Sequence, residues 1–206
     1  MILAIDTSGG ELLVCLLSAD LEVMAGACVP GRRHQEVIVD TVERVIGGAE
    51  RVSALGAIAV VRGPGSQTGL RVGLAAAAGL AFASRLELLP LSSLAVAAHR
   101  LVADGDLVAA VSAGRSNVYA QVFRAHGPGR TPVGPRVLAP ALGVHAALGA
   151  TASLPVAAEP ALGEALGGLP PTGTVDGVDA LANAVREAAG RGIAVAYHQL
   201  TGDYGE

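Results

Sequence analysis

The chain has no lysine: all 14 of its basic residues are arginine. That absence excludes a Walker-type phosphate loop, in which a lysine follows the last glycine and reaches the phosphates. Tryptophan is missing as well, and aromatic residues make up only 2% of the chain. Eighteen acidic residues set against these arginines leave a net charge of −4. Nucleic acids call for a basic face, and single strands also for aromatic platforms. Strong direct nucleic-acid binding is therefore not expected.

Cysteine is scarce, with only Cys15 and Cys28. A turn near residues 19–21 would set Cys15 opposite residue 25 rather than Cys28, so no disulfide framework is expected. Both thiols read as small buried hydrophobes in a reducing cytoplasm. No two of His34, His99, His126, His145 and His198 are three or four residues apart, and C-x-x-C is absent. A metal site therefore has no support. The opening MILAIDTS lacks the basic and long apolar segments of a secretory signal, so a cytoplasmic location is expected.

What is present is an apolar chain of 206 residues, 51% hydrophobic and 16% charged, long enough for a sizeable core in one or two domains. ILAIDTS, ELLVCLLS and EVMAGACV read as three short strands joined by turns at Gly9-Gly10 and Ala19-Asp20. HQEVIVDTVERVIGG places Ile38, Val42, Val45 and Ile46 on one helical stripe and ends in Gly47-Gly48. ALGAIAVVRG is an apolar run of strand length, as a buried central strand should be.

There follows RGPGSQTGLRVG, with Gly63, Gly65 and Gly69 spaced G-x-G-x-x-x-G, one residue longer than the dinucleotide fingerprint. Pro64 stiffens the turn, and Ser66 or Thr68 stands where it could cap the next helix. That helix, from Gly69 to Ser84, is apolar nearly all round and built of small residues. It is too short for a membrane span, which needs about 20 residues. Either it is a core helix, or one of its faces belongs to a partner.

Farther on, LVAAVSAGRSNVYAQVF is again strand, tight turn, strand. Aligned on the turn, Ile5-Asp6-Thr7-Ser8-Gly9 lies against Val111-Ser112-Ala113-Gly114-Arg115, which suggests a duplicated two-lobe architecture. Residues 126–175 are rich in proline and glycine and low in pattern, with a short helix expected near 140–148 and a strand near 153–157. VDALANAVREAAGRG reads as an amphipathic helix capped by Asp176 or Asp179, and AVAYHQL as a closing strand or extended tail.

Taken in order, ILAIDTS, RRHQEVI, VRGPGSQTGLRVGLAAAAGLA and SAGRSNVYAQVF resemble the TsaB (YeaZ) family, once labelled glycoprotease-like. The family is a partner subunit in synthesis of the threonylcarbamoyladenosine modification of tRNA. The resemblance covers residues 1–125 well and the rest loosely. It implies an α/β, two-lobed actin-like ATPase (ribonuclease-H-like) fold with a reduced second lobe. The lobes would be 1–103, carrying the interface helices, and 104–206, loop-rich.

In active members of that fold, hairpin turns present amides to phosphates and an aspartate from each lobe helps to place a metal. This chain keeps Asp6 but has Ser112 at the second position, where a neutral hydroxyl cannot offset the dehydration of a divalent ion. The H-x-x-x-H motif of the catalytic paralogue TsaD is also absent, with His99 standing alone. Asp6, Thr7, Ser8, Gly63, Gly65 and Ser112 would thus form a degenerate nucleotide site, with no cofactor beyond weak or vestigial nucleotide binding.

The implied function is that of a non-catalytic scaffold. It would use His34, Ile38 and Val42 of one helix and Thr68, Gly69, Arg71, Gly73 and Ala77 of the other to dimerise with a TsaD-type subunit. A TsaE-type ATPase would join the complex, and a homodimer would replace it in isolation. The alternative is an active actin-like-fold ATPase or small-molecule kinase using Asp6 and the glycine loops. A protease reading finds neither G-x-S-x-G nor paired histidines in this chain.

Overall fold

The computed structural model describes residues 1–31, 33–149, 154–166, 174–192 and 194–203. The first three predicted strands form as β1 (Ile2–Asp6), β2 (Glu11–Leu17) and β3 (Val23–Pro30). They join β4 (Ala57–Gly63) and β5 (Glu87–Ser92) in one sheet of order β3-β2-β1-β4-β5. Within it β1 runs antiparallel to β2 and parallel to β4.

The second sheet contains β6 (Gly105–Gly114), β7 (Asn117–His126), β8 (Gly129–Pro140) and β9 (Val156–Ala157), ordered β8-β7-β6-β9. Here β6 runs antiparallel to β7 and parallel to β9. Both sheets therefore centre on a strand with its hairpin partner on one side and a parallel strand on the other. The repeat suggested by two short sequence stretches is a repeat of topology.

Helix α1 (His34–Ile46) forms where the stripe predicts it, burying Ile38, Val42, Val45 and Ile46. Gly47 ends it at φ 89°, a left-handed cap that costs glycine little. Helix α2 (Gln67–Ser84) begins at Ser66, whose Oγ accepts from the Gly69 N–H at 3.3 Å. Both helices cover one face of the first sheet, packing on Leu3, Ile5, Ile58 and Val60. The other face is covered by α6 (Gly177–Gly190), whose Leu181 and Val185 meet Ala4, Leu13 and Cys15. Covered on both faces, the central strands are apolar at successive positions instead of alternating. All strands of the first sheet precede residue 103 and those of the second follow 104, yet α6 packs on the first sheet.

Short α3 (Ser93–Ala98) bridges the two sheets, with Val96 on the first and Leu94 and Ala97 on the second. Among the described residues, no helix is long and apolar enough to cross a membrane.

Two expectations need correction. Cys28 is exposed on edge strand β3, whereas Cys15 is buried, opposite Gly26, with its thiol pushed up to about 12 by burial. Residues 129–140 form a full strand, β8, in place of loose loop. Its prolines, Pro132, Pro135 and Pro140, hid it from pattern reading; β8 is an edge strand, the position in a sheet that tolerates proline. The helix expected near 140–148 is a 3₁₀ turn (Ala141–Gly143) running into α4 (Val144–Ala147), and the strand near 153–157 is β9. Within LGGLPPTGT, residues 167–173 lie outside the described residues. The final segment meets the β5 edge at one point, where Leu88 and Val195 exchange two 2.8 Å backbone bonds. Asp176, not Asp179, caps α6, its Oδ1 accepting from the Asp179 N–H at 2.9 Å.

Candidate functional site

At the end of β1 the chain turns sharply, and the Ser8 N–H donates to Asp6 Oδ1 at 2.8 Å. The matching end of β6 repeats this, with the Gly114 N–H donating to Ser112 Oγ at 3.3 Å. The two side chains hold equivalent turns, one with a carboxylate and one with a neutral hydroxyl. Asp6 is only 7% exposed. Burial raises its pKa above the usual 3.8; the Ser8 hydrogen bonds and then the Arg100 charge oppose that rise, and the Glu159 charge adds to it.

Asp6, Ser8, Gly9, Glu11, Arg100 and Glu159 line a cavity of about 30 Å³ between the two sheets. That admits a water or two. Glu11 and Arg100 also line an adjoining cleft of about 880 Å³, bounded further by Val156, Pro160, Asp176 and Val178; ligand pockets run to about 300–1,000 Å³. Beside it Arg100 is paired to Glu11 at 2.6 Å.

The buried Asp6 gives a signed prediction. Its folded pKa is raised, so above 3.8 the unfolded chain surrenders this proton first, and stability falls as pH rises through that window. Asp6→Asn removes the ionisation and keeps an acceptor for Ser8. Its melting temperature should exceed the wild type's at pH 7, and the gap should close as pH drops toward 3.8. Equal melts across the range would mean that the buried charge is fully compensated.

The glycine-rich loop faces inward. Gly63 (φ 120°) and Gly65 (φ 157°) occupy backbone conformations that side chains rarely adopt. A Cβ on Gly65 would lie 2.5 Å from the Ser8 carbonyl oxygen, and one on Gly69 would lie 2.1 Å from that of Thr7. Ser66 N–H donates to Ser8 O at 2.9 Å, Thr7 Oγ1 to Gly69 O at 2.8 Å, and Ser93 Oγ to Pro64 O. These polar groups are spent on the exit of β1, docking the start of α2 there and turning the chain.

The residues assigned to the two interface helices divide between core and surface. Ile38, Val42, Gly69, Gly73 and Ala77 are buried within the chain itself, while Thr68 and Arg71 are exposed. His34 is 3% exposed, and neither ring nitrogen has a hydrogen-bond partner among the described residues. The outward side of α2 carries Arg71, Ala75, Gly79 and Phe82.

Local pattern could not reveal two groups. Glu159 reaches the first turn from a proline-rich stretch far along the chain, where the Gly10 N–H donates to its Oε2 at 2.8 Å. His99, which stood alone in sequence, lies 3.0 Å from Glu187 of α6. Burial lowers its pKa, and Glu187 opposes that shift. The Glu187 carboxylate also accepts from the Arg130 N–H at 3.3 Å.

Comparison with known proteins agrees with this geometry. A family model described as TsaD, tRNA N6-adenosine threonylcarbamoyltransferase, matches residues 25–143. The tRNA threonylcarbamoyladenosine biosynthesis protein TsaB of Haemophilus influenzae is 35% identical over 128 residues, 60% of this chain and 54% of that protein. A tRNA N6-adenosine threonylcarbamoyltransferase of Streptococcus agalactiae is 35% identical over 111 residues, 46% of this chain and 33% of the relative. The chain thus spans about half the length of the first of these relatives and a third of the second. Among solved structures, YeaZ from Pseudomonas aeruginosa superposes with a TM-score of 0.79 at 26% identity, covering 98% of both chains. A matched family model over more than half of the sequence, joined to a fold shared end to end with YeaZ, settles the kinship: the chain belongs to the TsaD family, on its TsaB (YeaZ) branch with the actin-like fold.

Proposed function

We propose that the chain takes part in making the threonylcarbamoyladenosine modification of tRNA as a non-catalytic scaffold that binds a TsaD-type subunit. The observation that carries this reading is an apolar surface on α1 and α2. A groove of about 250 Å³ runs between them, lined by Ile38, Val39, Val42, Val52, Ala76 and Leu80. Val39, in this lining, is 70% exposed. An exposed apolar groove of this kind, with Glu43 in its lining, marks an interaction surface. A related subunit with equivalent helices would pack on it as a helix bundle, and a second copy of this chain would do so when that subunit is missing. A TsaE-type ATPase completes the assembly. The neutral Ser112 in place of a second aspartate supports a role without turnover, and weak or vestigial nucleotide binding is the most that this site would show.

Val39→Asp tests the surface. The side chain is mostly in solvent, so the melt should barely move. Binding to a TsaD-type subunit should weaken at least about tenfold, because a carboxylate would be buried without a partner. Undiminished affinity would place the interface elsewhere. Magnesium-dependent ATP hydrolysis that survives repurification and disappears in Asp6→Ala would favour the kinase or ATPase reading instead.

A further inference from the structure

The turn from β1 to β2 already holds an anion, and that anion belongs to the protein. Besides accepting the Gly10 N–H, the Glu159 carboxylate lies close to both glycines of the turn, Oε2 foremost. A Cβ placed on Gly9 would be 2.7 Å from its Oε2, and one on Gly10 would be 3.3 Å away. A side chain at either position would crowd the carboxylate where it now lies. Glu159 is itself well fixed. Two residues earlier, Ala157 pairs with Ala109 of the second sheet, and the Glu159 carbonyl accepts from the Leu162 and Gly163 N–H groups at 3.0 and 2.9 Å. Those two donors open the short helix α5 (Pro160–Ala165). The carboxylate therefore reaches out from the second sheet and ends on a backbone amide of the first.

An amide in a glycine turn receives carboxylate and phosphate oxygens by the same hydrogen bond, and Arg100, paired to Glu11 at 2.6 Å, lines the same cavity. We propose that the Gly9–Gly10 turn is an oxyanion site kept shut by Glu159, an autoinhibitory contact that bars phosphate-bearing ligands and fastens the two sheets together. An external anion must displace an intramolecular one, which is present at high effective concentration and is held by its own strand. This device concerns the chain alone and stands or falls separately from the partner surface on α1 and α2.

Inorganic pyrophosphate is the probe, titrated calorimetrically into the full chain. Wild type should show no saturable uptake at millimolar concentrations. Glu159→Ala should bind at least about tenfold more tightly than wild type, a difference of about 1.4 kcal/mol. Glu159→Gln keeps the shape and an acceptor oxygen and so protects the fold; losing the charge, it should shift in the same direction by less. The double variant Gly9→Ala/Glu159→Ala puts a methyl group where the carboxylate lay and should return to wild-type behaviour. The proposal fails if both single Glu159 variants, shown to be folded by circular dichroism, bind pyrophosphate no better than wild type. It fails equally if the double variant binds as well as Glu159→Ala, since the anion would then sit elsewhere.

Discussion

Gly73→Leu is expected to destabilise the chain itself rather than to detach a partner. A single Cβ at this position would lie 2.2 Å from Thr7 Oγ1, and Thr7 is fixed by its bond to Gly69 O. Ala77, one turn along the same stripe, is completely buried. Overpacking a core costs about 1–3 kcal/mol and sometimes more. At this chain length 1 kcal/mol moves a melt by about 2–4 °C, so a fall of about 2–12 °C is expected. Partner affinity measured well below the melt should be close to wild type. Val39→Asp should do the opposite, sparing the melt and losing the partner. A Gly73→Leu protein with an unchanged melt and no partner binding would reverse the assignment of the two faces of α2.

Arg130→Ala should cost as much or more. The guanidinium is 6% exposed and donates to the carbonyls of Ala98, Leu101, Gly127 and Gly129 at 2.9–3.2 Å. Ala98 and Leu101 lie at and just beyond the end of α3, where carbonyls have no partner within the helix. One side chain of the second sheet thus satisfies the end of the helix that bridges to the first. Truncating it removes the positive charge near Glu187 and strands buried acceptors, each of which costs about 1–3 kcal/mol when left unsatisfied. Arg130→Lys should recover little, because a point charge cannot reach four carbonyls that a planar fork spans. The measurement is denaturant unfolding of the three proteins. A loss within experimental error for Arg130→Ala would show that water replaces the guanidinium freely.

Strands β1 to β4, α1, α2 and the repeated hairpin were legible because each rests on short-range pattern, whereas β5 was not legible as a strand. Uninterrupted apolar runs marked β1, β2 and β4, Ile38 and Val42 marked the stripe of α1, and Ser66 and Asp176 stood at helix starts. Edge strand β8 was not legible, since its prolines read as loop and only its position in the sheet accommodates them. The direction of α2 was open too. A helix made of alanine and glycine has almost no stripe, and Thr7, which decides its inward face, sits on a different element. In the candidate site, Asp6 and Ser112 could be aligned from their turns. Glu159, Arg100 and Arg130 could not be found, because their roles depend on contacts between residues far apart in the chain.

The return of α6 to the first sheet carries a consequence for how the polypeptide is made. During synthesis, β1 to β5 can pair as soon as they emerge, and α1 and α2 can cover one face. The opposite face, with Ala4, Leu13, Cys15, Ala59 and Val61, waits for a helix that begins at Gly177. Until then a nascent chain carries an uncovered apolar sheet surface, the kind of surface that makes partly folded species aggregate. Separate expression of the two halves would perpetuate that state. The second sheet is thus an insertion within the first lobe, placed between its last strand and its covering helix, and the first sheet reaches its native packing only after α6 has been translated.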